Sequence, residues 1–371
     1  MKRIPLLLCI VAIAALVFTA CGGGGSAETA GSSAAGGSSA AAEGGSAAGG
    51  DAADGALLRV AMVSDVGGVN DQSFNQSAWE GLQQLEADGI AEVTYLESQQ
   101  ESDYVSNLEN LTDQDYQIIW GIGYMLADPI LTAAKTNPDT TYAIVDNDYG
   151  DETPENVICL VFDSQDSSFL CGYIAGRMTE TNNVGVVGGI QGDVIDTFVY
   201  GYSAGAKYAA YEQGKEIEVQ VQYIDSFTDS AKGKTVATKM IQDGADVVFQ
   251  ACGGGGVGVI EAAKEQGKWA IGADSDQNHL APDNVLTSAM KLVGAGMYNV
   301  CKESANGNDL RGQTYLGTLE NGSVGIAPTS AANVPEDILA DTEAVKQKLI
   351  SGELTAPIHE EPYNEFLETL Q

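Results

Sequence analysis

The sequence predicts an α/β protein of two lobes, each a parallel sheet flanked by helices, with a ligand cleft between them. Three observations lead there. From Leu57 onward, β-rich apolar runs alternate with amphipathic helical stretches such as SAWEGLQQLEAD and SAKGKTVATKMIQDG, the pattern of right-handed βαβ crossovers. The runs are nearly continuous in Val, Ile, Leu and Ala, as strands buried on both faces are. Most of them end in a small polar cluster: Ser64-Asp65, Gly121-Ile122-Gly123, Asp146-Asn147-Asp148, Gly188-Gly189, Asp225-Ser226, Cys252-Gly253 and Asp274. Open α/β sheets bind ligands at the carboxyl ends of their strands, so all these clusters are candidates for one site.

In chain order, the first 20 residues read as a secretory leader. Lys2 and Arg3 precede an apolar run from Ile4 to Ala20, and Cys21 follows. VFTAC resembles a lipobox with Phe18 where Leu is usual, so Cys21 is expected to be lipidated after cleavage. Residues 21–55 continue almost entirely in Gly, Ser and Ala, which cannot bury enough apolar surface to offset their ordering entropy; they are expected to form a disordered tether. No later stretch reaches the ~18–20 apolar residues that span a bilayer. The protein is therefore expected at the cell membrane, facing outside, held by its lipid alone and acting as a monomer.

The first strand series is expected at 57–65, 91–98, 116–123, 141–148 and 157–163, and the second at 183–190, 218–225, 245–253, 269–274 and 285–291. Lobe one is assigned to 57–163 with 285–320, and lobe two to 164–284 with 321–371. TYLGTLENGSVGIAP alternates around Asn321-Gly322, a strong two-residue hairpin signal, and is expected to be an antiparallel appendage. A last helix is expected from about Pro335 to Leu349, with the proline in its first turn.

The formal charge is −35, from 17 Lys+Arg against 52 Asp+Glu, and losing Lys2 and Arg3 takes it to −37. A surface this acidic repels nucleic acid and anionic lipid. Cys159, Cys171, Cys252 and Cys301 have no CxxC or zinc-ligand spacing; buried free thiols are the simplest reading, with one or two disulfides left open by the extracellular address. His279 and His359 are isolated in sequence and read as loop residues. CGGGGVG has neither the GxGxxG register with a later ribose acid nor the Lys-Ser/Thr of a phosphate loop, and reads as a strand-to-helix turn. Nothing asks for a metal or a cofactor.

SDVGGVNDQSFNQSAWEGL, residues 64 to 82, crowds Asp, Asn and Gln around Phe74. Ser73 and Gln76 have capping-box spacing, which makes Ser73 the expected N-cap and puts Phe74 and Asn75 in the first helical turn. An aromatic at the mouth of a sheet, beside free backbone donors, is poorly placed for packing alone.

With GGIQGDVIDTFVYGYSAGAKY, YIDSFTDSAKGK, FQACGGGGVGVIEAAKEQG, IGADSDQ and LTSAMK in the same order, this segment resembles the basic membrane protein family. These are lipoprotein substrate-binding components of nucleoside ABC transporters with the type I periplasmic-binding-protein fold. The resemblance runs from Leu58 to about Glu360. It implies no enzymatic activity, a nucleoside ligand, purine above all, and ABC permease and ATPase partners. It implies that Phe74 and Phe227 clamp the two faces of a base, that Asp65 and Asn75 hydrogen-bond the ligand from lobe one, and that Asp146 stands beside the site. Phe198 lines lobe two, Gly254 or a neighbour brings backbone close, and Asp274 and Lys291 meet the ribose hydroxyls. The chain departs from the family in having Gly253 to Gly256 where Thr is common and Tyr202 where Phe is frequent.

The residue chemistry agrees, since stacking contributes roughly 1–3 kcal/mol per base and a buried donor left unpaired costs about as much. Two other readings stay open: the same fold holding a sugar or signalling furanosyl ligand, and a surface nucleoside hydrolase, although the DxDxxxDD calcium cluster typical of that class is missing.

Overall fold

The computed structural model describes residues 57–370. The expected leader, the lipidated Cys21 and the tether to residue 55 lie outside the described residues. Two six-stranded sheets carry the fold. The elements of the first half are β1 (Leu58–Val63), α1 (Phe74–Ala87), β2 (Ala91–Leu96), α2 (Asp103–Thr112), β3 (Ile118–Gly121), α3 (Ala127–Thr136), β4 (Thr141–Val145) and β5 (Val157–Phe162). There follow α4 (Ser164–Met178), β6 (Asn183–Gly188), α5 (Asp193–Gln213), β7 (Glu218–Tyr223), α6 (Ser230–Gln242), β8 (Val247–Ala251), α7 (Gly256–Glu265), β9 (Trp269–Asp274) and β10 (Val285–Lys291). The chain ends with α8 (Val293–Ala305), β11 (Thr314–Gly317), β12 (Val324–Ile326), α9 (Glu336–Ser351) and α10 (Glu360–Thr369).

The first sheet runs β11-β5-β4-β3-β1-β2 and the second β12-β10-β9-β8-β6-β7. All pairings are parallel except that of β10 with β12. The period-two alternation of β1 explains why its run is continuous: Val60 and Met62 enter the core on one face, Ala61 and Val63 the core on the other. In each sheet the strand order reverses between the first and third strands, β1 against β3 and β6 against β8. That switch point is where crossovers diverge to opposite faces and leave a crevice.

Two expectations change here. Residues 285–291 had been grouped with 285–320 in lobe one, but β10 pairs with β9 and β12 in the second sheet. The chain crosses only at Leu292, after which Val293, Met297, Val300 and Cys301 of α8 join the lobe-one core beside Ala78, Leu82 and Leu85 of α1. An apolar strand reads alike in either sheet; only its hydrogen-bond partner assigns it. Nor do β11 and β12 form a hairpin. β11 adds to β5 and β12 to β10, so the Asn321-Gly322 turn carries the chain between sheets. Its geometry is built locally: Asn321 Oδ1 accepts from the amides of Thr318 and Ser323, and Gly322 takes φ 74°.

The lobes are therefore joined three times, at Asp163, at Leu292 and across Thr318–Ser323. These crossings are stitched together: Asp163 N donates to Gly317 O at 2.8 Å and Leu292 N to Ser323 O at 2.9 Å. Inside lobe two, α4 lies directly on α5. A Cβ on Gly205 would stand 1.9 Å from Phe169 O, so that backbone-to-backbone approach requires glycine. Cys159, Cys171, Cys252 and Cys301, the four cysteines among the described residues, are free and buried. Among the described residues no helix is long and apolar enough to cross a membrane.

Candidate functional site

The loop from β1 to α1 builds one wall of the crevice. Ser73 is the N-cap residue, but its hydroxyl does not cap the helix. Asp71 does so instead: its carboxylate accepts from the amides of Ser73 (2.9 Å), Asn75 (2.9 Å) and Gln76 (3.1 Å). An anion at this position also meets the positive end of the helix dipole. The expected box with Gln76 is absent, because Gln76 pairs with Gln72 and Glu80. Ser73 is thereby free to reach the other lobe, where its hydroxyl donates to Asp274 Oδ2 at 2.6 Å.

Further polar contacts join the lobes at this mouth. Gln277 Nε2 donates to Gln72 O at 2.8 Å, and Lys291 Nζ to Asp146 Oδ2 at 2.6 Å. Lys291 and Asp146 are both almost wholly buried, with 2% and 8% of their side chains exposed. Gln72, Asp146 and Asp274 all have left-handed backbones, at φ 58°, 64° and 65°. Non-glycine residues rarely hold that region without support, and strain of this kind gathers at ligand clamps. Here it falls on three residues that touch across the cleft.

Behind these contacts lies a partly enclosed cavity between the two sheets' strand ends. Asp65, Phe74, Asn75, Asp146, Phe198, Phe227, Asp274 and Lys291 all line it. Gly254 does not; Gly253 takes that place, while Gly254 lies against Phe227 O and Asp71. Phe74 is offered by lobe one and Phe227 by lobe two. Lys291 Nζ sits 4.5 Å from the Phe74 ring centre and 5.5 Å from that of Phe198, inside cation–π range. Phe227 packs on Gly189 and meets Tyr124 edge to face at 6.5 Å.

The sequence reading did not name Tyr124 or Asp71 as ligand residues, although both line the cavity. Asp71 lies in the loop before α1 that it singled out, and Tyr124 follows directly on the strand-end cluster Gly121-Ile122-Gly123, whose Gly123 also lines the cavity. Gly123 is required there: at φ 100° its would-be Cβ falls 3.3 Å from both Asp65 Oδ2 and Phe74 Cε1.

Four carboxylates, Asp65, Asp71, Asp146 and Asp274, line the cavity against one ammonium, Lys291. Burial pushes the Asp65 carboxyl up to about 6, opposed by its bonds from Gly67 N and Asn75 and reinforced by Asp71 and Asp146. Burial likewise raises Asp274 to about 6, with Lys291 and Ser73 pulling down. Such a lining favours a neutral ligand rich in donors and opposes a phosphate.

The family model described as Bmp, ABC transporter substrate-binding protein PnrA-like, matches residues 58–360. The chain belongs to the Bmp family. It is 39% identical over 313 residues to basic membrane protein A of Borreliella afzelii, covering 83% of this chain and 94% of that protein. It is 38% identical over 321 residues to the ABC transporter nucleoside-binding protein BmpA of Lactococcus lactis subsp. cremoris, covering 81% and 89%. Among solved structures, an ABC transporter solute-binding protein of Aeropyrum pernix K1 superposes with TM-score 0.75 at 25% identity, over 84% of this chain and 97% of that one. The protein is thus an ABC transporter substrate-binding protein with the two-lobed type I periplasmic-binding fold. Its family is one of binding proteins, not of enzymes.

Proposed function

We propose that the protein captures purine nucleosides and hands them to an ABC permease, working as a monomer held to the outer face of the cell membrane by a lipid on Cys21. The observation that carries the reading is the pairing of Phe74 from lobe one with Phe227 from lobe two in one cavity rimmed by carboxylates and amides. Two rings suit the two faces of a base, and carboxylates suit vicinal ribose hydroxyls. In this assignment Asp65 and Asn75 hold the base edge, Phe198 lines the cleft from lobe two, and Asp146, Asp274 and Lys291 hold the sugar. Backbone at Gly253–Gly254 closes the second-lobe side. The name of the Lactococcus relative supports the ligand class.

Native mass spectrometry of the chain as purified tests this. A co-purifying mass equal to a purine nucleoside is expected. A bound monosaccharide would favour the sugar reading, and release of free hypoxanthine from added inosine would show a hydrolase. Lipidation is tested by palmitate labelling, which Cys21→Ala should abolish.

A further inference from the structure

Asn75 and Asp65 have their hydrogen-bonding directions fixed by the protein. Asn75 Nδ2 donates to Asp65 Oδ1 at 2.8 Å and to Asp71 Oδ2 at 3.1 Å. Carboxylates only accept, so the amide has one orientation. Its Oδ1 is buried, on a residue 2% exposed, and has no hydrogen-bond partner among the described residues. Asp65 Oδ1 is already taken by Gly67 N at 2.7 Å and by Asn75. Its Oδ2 is left beside Gly123 and the edge of the Phe74 ring. A flat ligand on Phe74 therefore meets two acceptors along this rim, Asn75 Oδ1 and Asp65 Oδ2.

We propose that Asp71 is a positioning residue, and that the acceptor-only rim it fixes selects 6-oxopurine nucleosides over 6-aminopurine nucleosides. This rests on the nucleoside reading. A 6-oxopurine carries N1–H, and guanine adds an adjacent amino group, so guanine sets two neighbouring donors against the two acceptors and hypoxanthine sets one, without a lone pair turned toward either. Adenine turns an N1 lone pair toward the same rim and satisfies only one acceptor, through its amino group. Sites built to bond a ligand N–H discriminate strongly against analogues lacking it, because their own polar groups are left unpaired.

Calorimetric titration of the full chain at pH 7.5 with guanosine, inosine, 1-methylguanosine and adenosine tests the proposal. Guanosine should bind at least tenfold more tightly than adenosine, with inosine between the two, and 1-methylation should cost guanosine at least tenfold. Adenosine binding as tightly as guanosine would overturn the selectivity and leave the nucleoside reading standing. No heat from any of the four would overturn both. Asp71→Asn brings a competing amide donor and lets the Asn75 amide turn over, so the guanosine-to-adenosine ratio should narrow severalfold. An unchanged ratio in that folded variant would remove Asp71 from the account, while the titrations of the unaltered chain decide selectivity whether or not it folds.

Discussion

At the scale of single residues, the cleft sets function against stability. The Asp65 and Asp274 carboxyls hold their protons up to about 6 in the native state, against an ordinary 3.8. Between those values the native state binds more protons than the unfolded chain. The stability they contribute is therefore fully present below about 3.8 and is lost as pH rises from there through about 6. At about 1.4 kcal/mol per unit, each costs on the order of 3 kcal/mol at neutral pH when taken alone. Asp65→Asn keeps the acceptor for Gly67 and removes the buried charge. It should raise unfolding free energy at pH 7.5 by roughly 1–3 kcal/mol, flatten its pH slope and weaken guanosine binding, as urea unfolding and calorimetry would record.

The same titration bears on the ligand. Asp65 is faced by Asp71 and Asp146, with the Tyr104 and Tyr124 rings beside it, and by Lys291 and Asp274 across the cavity. Once protonated it can donate to the adenine N1. Lowering the pH from 8 to 5 should weaken guanosine binding and narrow its advantage over adenosine. Tyr202 offers a separate check, since its buried hydroxyl has no partner among the described residues and its ring rests on Phe249 at 5.0 Å. Tyr202→Phe should raise unfolding free energy by about 1 kcal/mol.

At the scale of elements, the strand–helix alternation and the clusters at strand ends were legible because periodicity and composition act locally. The strand from 269 to 274 fell where the sequence put it, and Ser73 took the N-cap position. What stayed hidden depended on partners far along the chain. Ser73 gives its hydroxyl to Asp274, some two hundred residues away, so the cap passed to Asp71, which no spacing rule favoured over Ser73. The Asn321-Gly322 signal is a true turn, but its flanks pair with different sheets. Eight of the nine proposed ligand residues meet in one cavity, and the family resemblance, more than the bare sequence, marked Phe227 and Phe198. Asp71→Ala should lower unfolding free energy by about 1–2 kcal/mol through loss of the α1 cap, as urea titration would show. Gly205→Ala should cost roughly 1–3 kcal/mol or more, because α4 and α5 would have to separate.

At the scale of the whole molecule, three crossings at Asp163, Leu292 and Thr318–Ser323 join lobes whose opposing faces supply the proposed ligand groups. The lobes meet through Ser73–Asp274, Gln72–Gln277 and Asp146–Lys291, so capture should be a hinge closure over the base. The strained backbones of Gln72, Asp146 and Asp274 sit on that contact. Phe74→Ala and Phe227→Ala should each weaken nucleoside binding by roughly 5- to 150-fold, equivalent to about 1–3 kcal/mol of lost stacking, with little change in fold. The central claim, that this cleft takes a neutral nucleoside, is tested most directly by calorimetry of the ligand-stripped chain with guanosine, ribose and guanosine monophosphate. The account predicts saturable one-to-one heat with guanosine and none with the other two at matched concentration; binding of ribose or the monophosphate without guanosine would contradict it.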